Sequence, residues 1–561
     1  MHRKIVFASR VFRHFEPLLS VKARRFLQGP KSTMANPMGH EETNFEVECT
    51  QQFRNKNTQS CNIDMKCLVR FVNKSPSKCF FHTISLRDSL MGDESVKYLC
   101  QLFKIVPSLR HVDFGLNRFL VPGSRKLSAC FGLNGVANGG VCSVQSLNLE
   151  GNQGIGPIGM AAFMGQIAEN TTLKSLHLGS CQACQFGWNF GMKETTEMIK
   201  KNTTLESLDL SNNRIQTTQF DGADIFCDFC EALGHETSAI THLSLAGNDL
   251  GHVGTRALFD ALSGKAHQVT SLNVSNCRIG VEGANFAAIS LTRRQTSAFN
   301  SMRHIDISNN DITDDAMVVL THSLWADEIG VESFVCGGNP FVSHGAHAIL
   351  DAMRDCPSSA LVHLDLSGAS GLSGEWIARF SSFLQPSLAA VGRSWSTRRK
   401  TVLVPSNRWH ATTLTKLETI DLADTDITKD DVALLHRALQ RDPESGVRNT
   451  CLKHLTLPRE ACELMNELDR THFLAPLPIN YTPVENNTVV ALLSVVRTLP
   501  ADSMLPVELV GRILQFLCTC ETRSVELVGE IPEDERMVQA YLQRQPAFQP
   551  PASLGAADTL Q

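Results

Sequence analysis

Histidine, serine and aspartate recur at one fixed spacing along this chain, and together they could do acid–base, nucleophilic or metal chemistry. One column of positions reads His111, Ser146, Ser175, Ser207, His242, Ser271, His304, Ser333, His363, Thr419 and His454. Two residues further on stand Asp113, His177, Asp209, Asp306, Asp365 and Asp421. In extended backbone a spacing of two puts both columns on one face. Strands in a sheet lie about 4.8 Å apart, so His304 and His363, with a further copy of the pattern between them, are too distant to share a metal. The pattern simply repeats, so no serine, histidine and carboxylate stand out as a triad. It reads as a polar face that hydrogen-bonds a partner, and its histidines would make such contact pH-sensitive near neutrality. No catalytic, cofactor or metal site is assigned.

The elements that must carry these columns are repeats. Leu205, Leu208, Leu210, Asn213 and Ile215 recur as Ile240, Leu243, Leu245, Asn248 and Leu250, and again as Met302, Ile305, Ile307, Asn310 and Ile312. The first apolar residue of each copy falls at Phe81, Leu109, Val144, Leu173, Leu205, Ile240, Val269, Met302, Val331, Leu361, Leu417 and Leu452. Positions one, four and six are apolar, which makes a short strand with one buried face. Position nine is Asn117, Asn152, Cys181, Asn213, Asn248, Cys277, Asn310 and Asn339, a polar group able to satisfy the backbone of neighbouring turns. The ladder fails at Ala369 and Thr425, so the C-terminal turns are expected to be less regular. After each strand, segments such as HVGTRALFDAL and TDDAMVVLTHSL space their apolar residues as one-sided helices do. Units of this size cannot bury an apolar face alone and must stack.

This strand–helix unit, with Asn or Cys at position nine and Asn-Thr-Thr-Leu lead-ins at Asn170 and Asn202, resembles the ribonuclease-inhibitor type of leucine-rich repeat. The resemblance implies an α/β horseshoe solenoid of about twelve repeats, with parallel strands on the concave side and helices on the convex side. It says little about the partner, since one architecture hosts many.

Two motifs that could signal cofactors are absorbed by the repeat. Gly154, Gly156 and Gly159 spell a dinucleotide-type GxGxxG. Glycine also recurs at Gly254, Gly283 and Gly345, however, where close strand–helix approach explains it, and Pro157 removes an N–H from any phosphate cradle. Cys181/Cys184 and Cys227/Cys230 are CxxC pairs, but 43 residues separate them and Cys181 occupies the inward ladder position.

Between Leu361 and Leu417 the interval lengthens to 56 residues. The insertion, about 385–412, carries Arg393, Trp395, Arg398, Arg399, Arg408 and Trp409 with no acidic residue, a composition suited to an acidic protein partner. Further on, Leu505, Pro506, Leu509, Ile513, Leu514 and Leu517 follow the L-P-x-E-L-x-x-x-I-L-x-F-L pattern and look like the first half of an F-box. That resemblance implies docking onto the adaptor of a cullin-type ubiquitin ligase. A Val/Cys/Trp-rich second half is not recognisable. The repeat type is also similar to the Ran GTPase activators, which implies a small GTPase as an alternative partner; the acidic tail of those proteins is missing here.

A net charge of −5 at pH 7 gives no global case for nucleic acid. The 18 cysteines lack a disulfide-like framework, which favours a reducing compartment, and no apolar run approaches the ~18 residues that span a bilayer. The first 37 residues hold eight Lys/Arg against Glu16 alone. The chain therefore reads as cytoplasmic, or mitochondrial if residues 1–33 act as a transit peptide. The organisation expected is a basic extension (1–40), a cap (41–80), the repeats (81–470), a proline-containing linker (471–487), a short F-box-like helical segment (488–520) and a loosely ordered tail (521–561). The function expected is a non-enzymatic scaffold that binds protein on its concave face.

Overall fold

A computed structural model describes residues 82–132, 142–184, 190–217, 222–235, 237–263, 268–292, 302–325, 330–355, 361–384, 417–439 and 454–458, with short stretches at 3–6, 45–48, 65–66, 68–70, 72–73, 452 and 524–528. Among the described residues one sheet of fifteen strands runs in chain order, and every neighbouring pair is parallel. Its strands are β1 (Arg3–Val6), β2 (Phe45–Glu48), β3 (Thr83–Ser85), β4 (His111–Asp113), β5 (Ser146–Asn148), β6 (Ser175–His177), β7 (Ser207–Asp209) and β8 (His242–Ser244). They continue as β9 (Ser271–Asn273), β10 (His304–Asp306), β11 (Ser333–Val335), β12 (His363–Asp365), β13 (Thr419–Asp421), β14 (His454–Pro458) and β15 (Ser524–Val528). The twelve from β3 to β14 are the repeats expected from the sequence.

Helices form the opposite layer: α1 (Asp93–Ile105), α2 (Val121–Ser128), α3 (Gly156–Ile167), α4 (Phe190–Lys201), α5 (Gly222–Leu233), α6 (Gly251–Leu262), α7 (Gly280–Thr292), α8 (Asp314–Trp325), α9 (Ser343–Asp355), α10 (Glu375–Leu384) and α11 (Lys429–Leu439). No helix among the described residues is long and apolar enough to cross a membrane.

The register does not slip. Position four meets position four down the sheet, as in Leu208↔Leu243 and Leu243↔Leu272. Leu147, Leu176, Leu208, Leu243, Leu272, Ile305, Phe334 and Leu364 are all buried there. Each such side chain contributes about 1.5–3 kcal/mol of burial, and a one-residue slip would turn the whole column to solvent. β13 follows β12 in the same register, Leu364↔Ile420, despite the longer interval. The insertion itself lies outside the described residues.

Stacked parallel turns bury backbone groups beyond the reach of the three-residue strands, and the ninth-position asparagine answers them. The Asn248 amide donates to Leu210 O and Leu245 O, at 3.0 and 2.7 Å, while its Oδ1 accepts from Asn213 N and Ile215 N, at 3.0 and 3.1 Å. Asn117, Asn213, Asn310 and Asn339 repeat this two-sided pattern. Cysteine keeps the donor half: the Cys181 and Cys277 thiols donate to Leu149 O and Leu245 O, at 3.3 and 3.2 Å. Where the column breaks, Asp426 takes over, accepting from Gly371 N and Leu372 N, and Thr425 donates to Leu422 O. The expected loss of regularity therefore does not reach the sheet.

One residue before each ladder position the backbone turns left-handed, with φ between 51° and 76° from Leu116 to Asp424. Glycine fits freely at Gly247 and Gly338, and asparagine tolerates it at Asn212, Asn276 and Asn309. Leu116 is the outlier, at φ 54° and 46% exposed. The helix-start glycines make a different approach from the one expected. A Cβ at Gly254 would stand 2.7 Å from Thr217, and one at Gly345 would stand 2.9 Å from Asp314, so these glycines admit the preceding repeat as well as their own turn.

Replacing Asn248 by alanine orphans two amides and two carbonyls, and should destabilise the central repeats by about 2–4 kcal/mol. Asn248→Cys, which keeps a donor, should lose roughly half as much. Hydrogen exchange of the β7–β9 amides measures both; equal losses for the two variants would contradict the donor role.

Candidate functional site

The strand face presents the columns as anticipated, with position four inward and positions three and five toward solvent. His111, His242 and His304 are exposed, while His177, His363, Asp113, Asp209, Asp306, Asp365 and Asp421 are half-buried. His304 and His363 flank Ser333 on successive strands, two strand intervals apart.

The aspartates do more than face the solvent. Each turns one oxygen back onto the N–H two residues ahead: Asp113 to Gly115, Asp209 to Ser211, Asp306 to Ser308, Asp365 to Ser367 and Asp421 to Ala423, all between 2.8 and 3.0 Å. Asn148 and Asn273 do the same for Glu150 and Ser275. These side-chain turns close the strand into the left-handed corner that follows. The acidic row is thus part of the scaffold, held in one orientation by its own backbone.

At one place the register joins a serine, a histidine and a carboxylate that the sequence did not single out as a triad. Ser175 Oγ lies 3.0 Å from His177 Nε2, and His177 Nδ1 lies 3.7 Å from Asp209 Oδ2 on the next strand. Burial raises the Asp209 carboxyl, but the His177 imidazole beside it and the Ser211 N–H and hydroxyl outweigh it, leaving the group below the usual aspartate range. Serine, histidine and carboxylate stand in the order that nucleophilic catalysis uses. The nearest backbone donors are engaged elsewhere, however. The Ser175 and Lys174 N–H groups both donate to Gln145 O within the sheet, and Lys174 Nζ pairs with Glu206 at 2.7 Å. The nucleophile's own amide, a usual oxyanion donor, is therefore committed to the fold. What remains is a fixed polar cluster.

Charged residues outside the two columns complete the face. Arg87 reaches Glu150 at 2.9 Å and Asp113 at 3.9 Å, bridging β3, β4 and β5. Along the strand entrances Arg303 pairs with Glu332 at 3.5 Å. Positions two and seven carry these ions, and reading those columns as the others were read would have found them. The insertion residues Arg393, Trp395, Arg398, Arg399, Arg408 and Trp409 lie outside the described residues, as do Leu505, Pro506, Leu509, Ile513, Leu514 and Leu517. On the helix side a shallow groove of about 690 Å³ runs between α2, α3 and α4, lined by Ile158, Ala161, Ala162 and Phe190 among others.

The Leucine Rich repeat family profile matches residues 142–164, 201–218, 266–285 and 300–320. The chain is similar to NACHT, LRR and PYD domains-containing protein 5 of Bos taurus, 26% identical over 265 residues, covering 42% of this chain and 22% of that one. It is similar to the ribonuclease inhibitor of Sus scrofa, 24% identical over 220 residues, covering 34% of this chain and 45% of that one. It thus spans less than half the length of either relative. Among solved structures, the Rad7 and Elc1 complex in yeast aligns with 80% of this chain and 87% of that one, at 11% identity and TM-score 0.40. The TLR13–ssRNA13 complex aligns with 74% and 44%, at 15% identity and TM-score 0.34.

Asp209 makes a prediction about pH. A carboxyl more acidic when folded than when unfolded contributes its full stability above the unfolded value and loses it as pH falls through the folded one. Asp209→Asn keeps the bond from the Ser211 N–H, as Asn148 and Asn273 keep theirs, but loses the charge that strengthens its contacts, and should therefore be less stable than the parent at pH 7 by about 1 kcal/mol. The gap should close below the ordinary aspartate value near 3.9. Urea midpoints between pH 7 and 3 test this; a gap that stays constant or widens on acidification would contradict it.

Proposed function

We propose that this chain, a leucine-rich-repeat protein, is a non-enzymatic scaffold that holds a protein partner against its strand face. Proteins built of this repeat generally serve as interaction scaffolds, and the pig relative is by its name an inhibitor of a ribonuclease. The observation that carries the reading is the orientation of the face. Five aspartates are tied to their own turns at 2.8–3.0 Å beside an outward histidine row. Side chains already held in place give up little freedom on binding, so more of each contact appears as affinity.

The chemistry of the face narrows the partner. Carboxylates at Asp113, Asp209, Asp306, Asp365 and Asp421 suit basic and hydroxyl-bearing groups, and roughly 800 Å² per side is enough for a stable complex. The ion pairs at the strand entrances, Lys174–Glu206 and Arg303–Glu332, fall on the rim, where charges govern association rate and salt dependence more than affinity. A second reading rests on the Leu505–Leu517 segment, which would dock an adaptor of a cullin-type ligase while the repeats select what is presented to it.

Substituting Ser271→Arg and Ser333→Arg adds bulk to the face without touching the asparagine ladder. It should weaken partner recovery at least tenfold, about 1.4 kcal/mol, while Val319→Arg on the helix side leaves recovery unchanged. The reverse pattern would overturn the strand-face reading. For the second reading, recovery of a cullin adaptor by the full chain and its loss in Ile513→Asp are expected; no adaptor recovered by the full chain ends that reading alone.

A further inference from the structure

Two thiols on the helix layer stand apart from everything the strand face uses. Cys100 lies on α1, and Cys130 lies in the turn after α2, where its N–H donates to Leu127 O. Their sulfurs are 2.9 Å apart, and both also lie near Lys126 O, at 3.8 and 3.9 Å. That is within about 1 Å of the ~2.05 Å disulfide bond length. Both residues are half-buried, so a small reagent can reach them.

Of the other cysteines in the described residues, only the buried Cys142 lies near enough to feel this pair, and burial pushes its thiol up to about 11. Cys181 and Cys277 point into the ladder, and Cys184, Cys230 and Cys336 are buried. Burial pushes the Cys181, Cys184 and Cys277 thiols up to about 12. Cys100 moves the other way. The S–H donated by Cys130 holds its thiol below the ordinary value, burial opposes this, and the Lys126 and Lys104 charges reinforce it. The same contact holds the proton on Cys130, whose thiol is pushed far up, with burial adding to the effect. One sulfur is thereby prepared to attack while its neighbour keeps a proton in reserve.

We propose that Cys100 and Cys130 form a reversible disulfide by exchange with a low-molecular-weight disulfide of the glutathione class. The Cys100 thiolate attacks one sulfur of the reagent, a mixed disulfide forms, and one thiolate leaves and takes up a proton. Capping Cys100 removes the negative sulfur that held the Cys130 proton in place. Cys130 then loses that proton, and its thiolate attacks Sγ of Cys100 and expels the second thiol. Two protein thiols and one reagent disulfide become one protein disulfide and two reagent thiols, so atoms, protons and electrons balance. The bond ties α1 to the end of α2, joining consecutive repeats early in the array. Each repeat in a stacked array is held by its neighbours, so a covalent tie between two of them acts directly on local opening. Oxidation should therefore slow the opening of α1 without altering the strand face.

The test equilibrates the full chain with mixtures of oxidised and reduced glutathione, followed by acid quench, alkylation and peptide mass spectrometry. Cys227, half-buried on α5 with its thiol raised by burial, is the internal reference. The expected product is a Cys100–Cys130 linked peptide at ratios that leave Cys227 alkylated. In Cys130→Ser and in Cys100→Ser alike the linked peptide cannot form, and the remaining thiol of the pair should carry glutathione as a stable mixed disulfide. Exchange of the 93–105 amides should slow on oxidation and recover with dithiothreitol. The proposal is overturned if Cys100 and Cys130 both remain reduced where Cys227 carries glutathione. It is equally overturned if Cys100 or Cys130 is found linked to Cys142 instead of to its partner. Circular dichroism confirms that each serine variant is folded, so loss of structure cannot imitate either result.

Discussion

The buried asparagine at the ninth position of each turn is the interaction on which the rest of the molecule depends. A three-residue strand satisfies few backbone groups, and the tight corner after it would leave amides and carbonyls stranded between layers. Unsatisfied groups of that kind cost about 1–3 kcal/mol each. One asparagine closes two donors of the preceding turn and two carbonyls, as Asn248 does with Asn213, Ile215, Leu210 and Leu245. Because its reach is short, it admits a neighbour in one register only. The apolar column at position four then falls inward by necessity, and the columns at three and five fall outward.

From that constraint the working surface follows. The same corner that the asparagine supports is closed from outside by the position-five aspartates, so a single turn is pinned on both faces. The outward row is therefore not an arbitrary set of exposed residues but the outer half of the structural device. A partner that meets it finds groups already oriented. The helix layer is freer, since its residues answer only to the packing of one apolar side. That freedom is where Cys100 and Cys130 can face each other without disturbing the sheet, and where the groove beside Phe190 opens.

Much of this was legible in the chain because its chemistry is periodic. The markers from Leu109 to Leu452, the inward leucines and the Asn/Cys column are local patterns, and each took the place expected. Contacts between repeats were harder to read. His177 meets Asp209 across 32 residues and Arg87 meets Glu150 across 63, distances that become short only when every turn is laid in register. The cysteines looked scattered in one dimension, yet Cys100 and Cys130 are about one repeat apart and stack for that reason. The break at Ala369 suggested a less regular turn, and only the fold reveals that Asp426 supplies the missing acceptor. The insertion and the Leu505–Leu517 segment have no periodic partner, so nothing in the repeat logic determines where they lie.

A distance measurement along the face tests the shared register most directly. Ser146 and Ser333 occupy the same position on β5 and β11, six strand intervals apart, so at ~4.8 Å per interval the arc between their backbones is about 29 Å, and its chord is shorter. Spin labels attached through an unnatural amino acid at 146 and 333, read by pulsed electron paramagnetic resonance, should give one narrow distribution at or below that length once the label linkers are allowed for. A broad distribution, or a distance well beyond the arc, would mean that the turns do not stack on one continuous ladder.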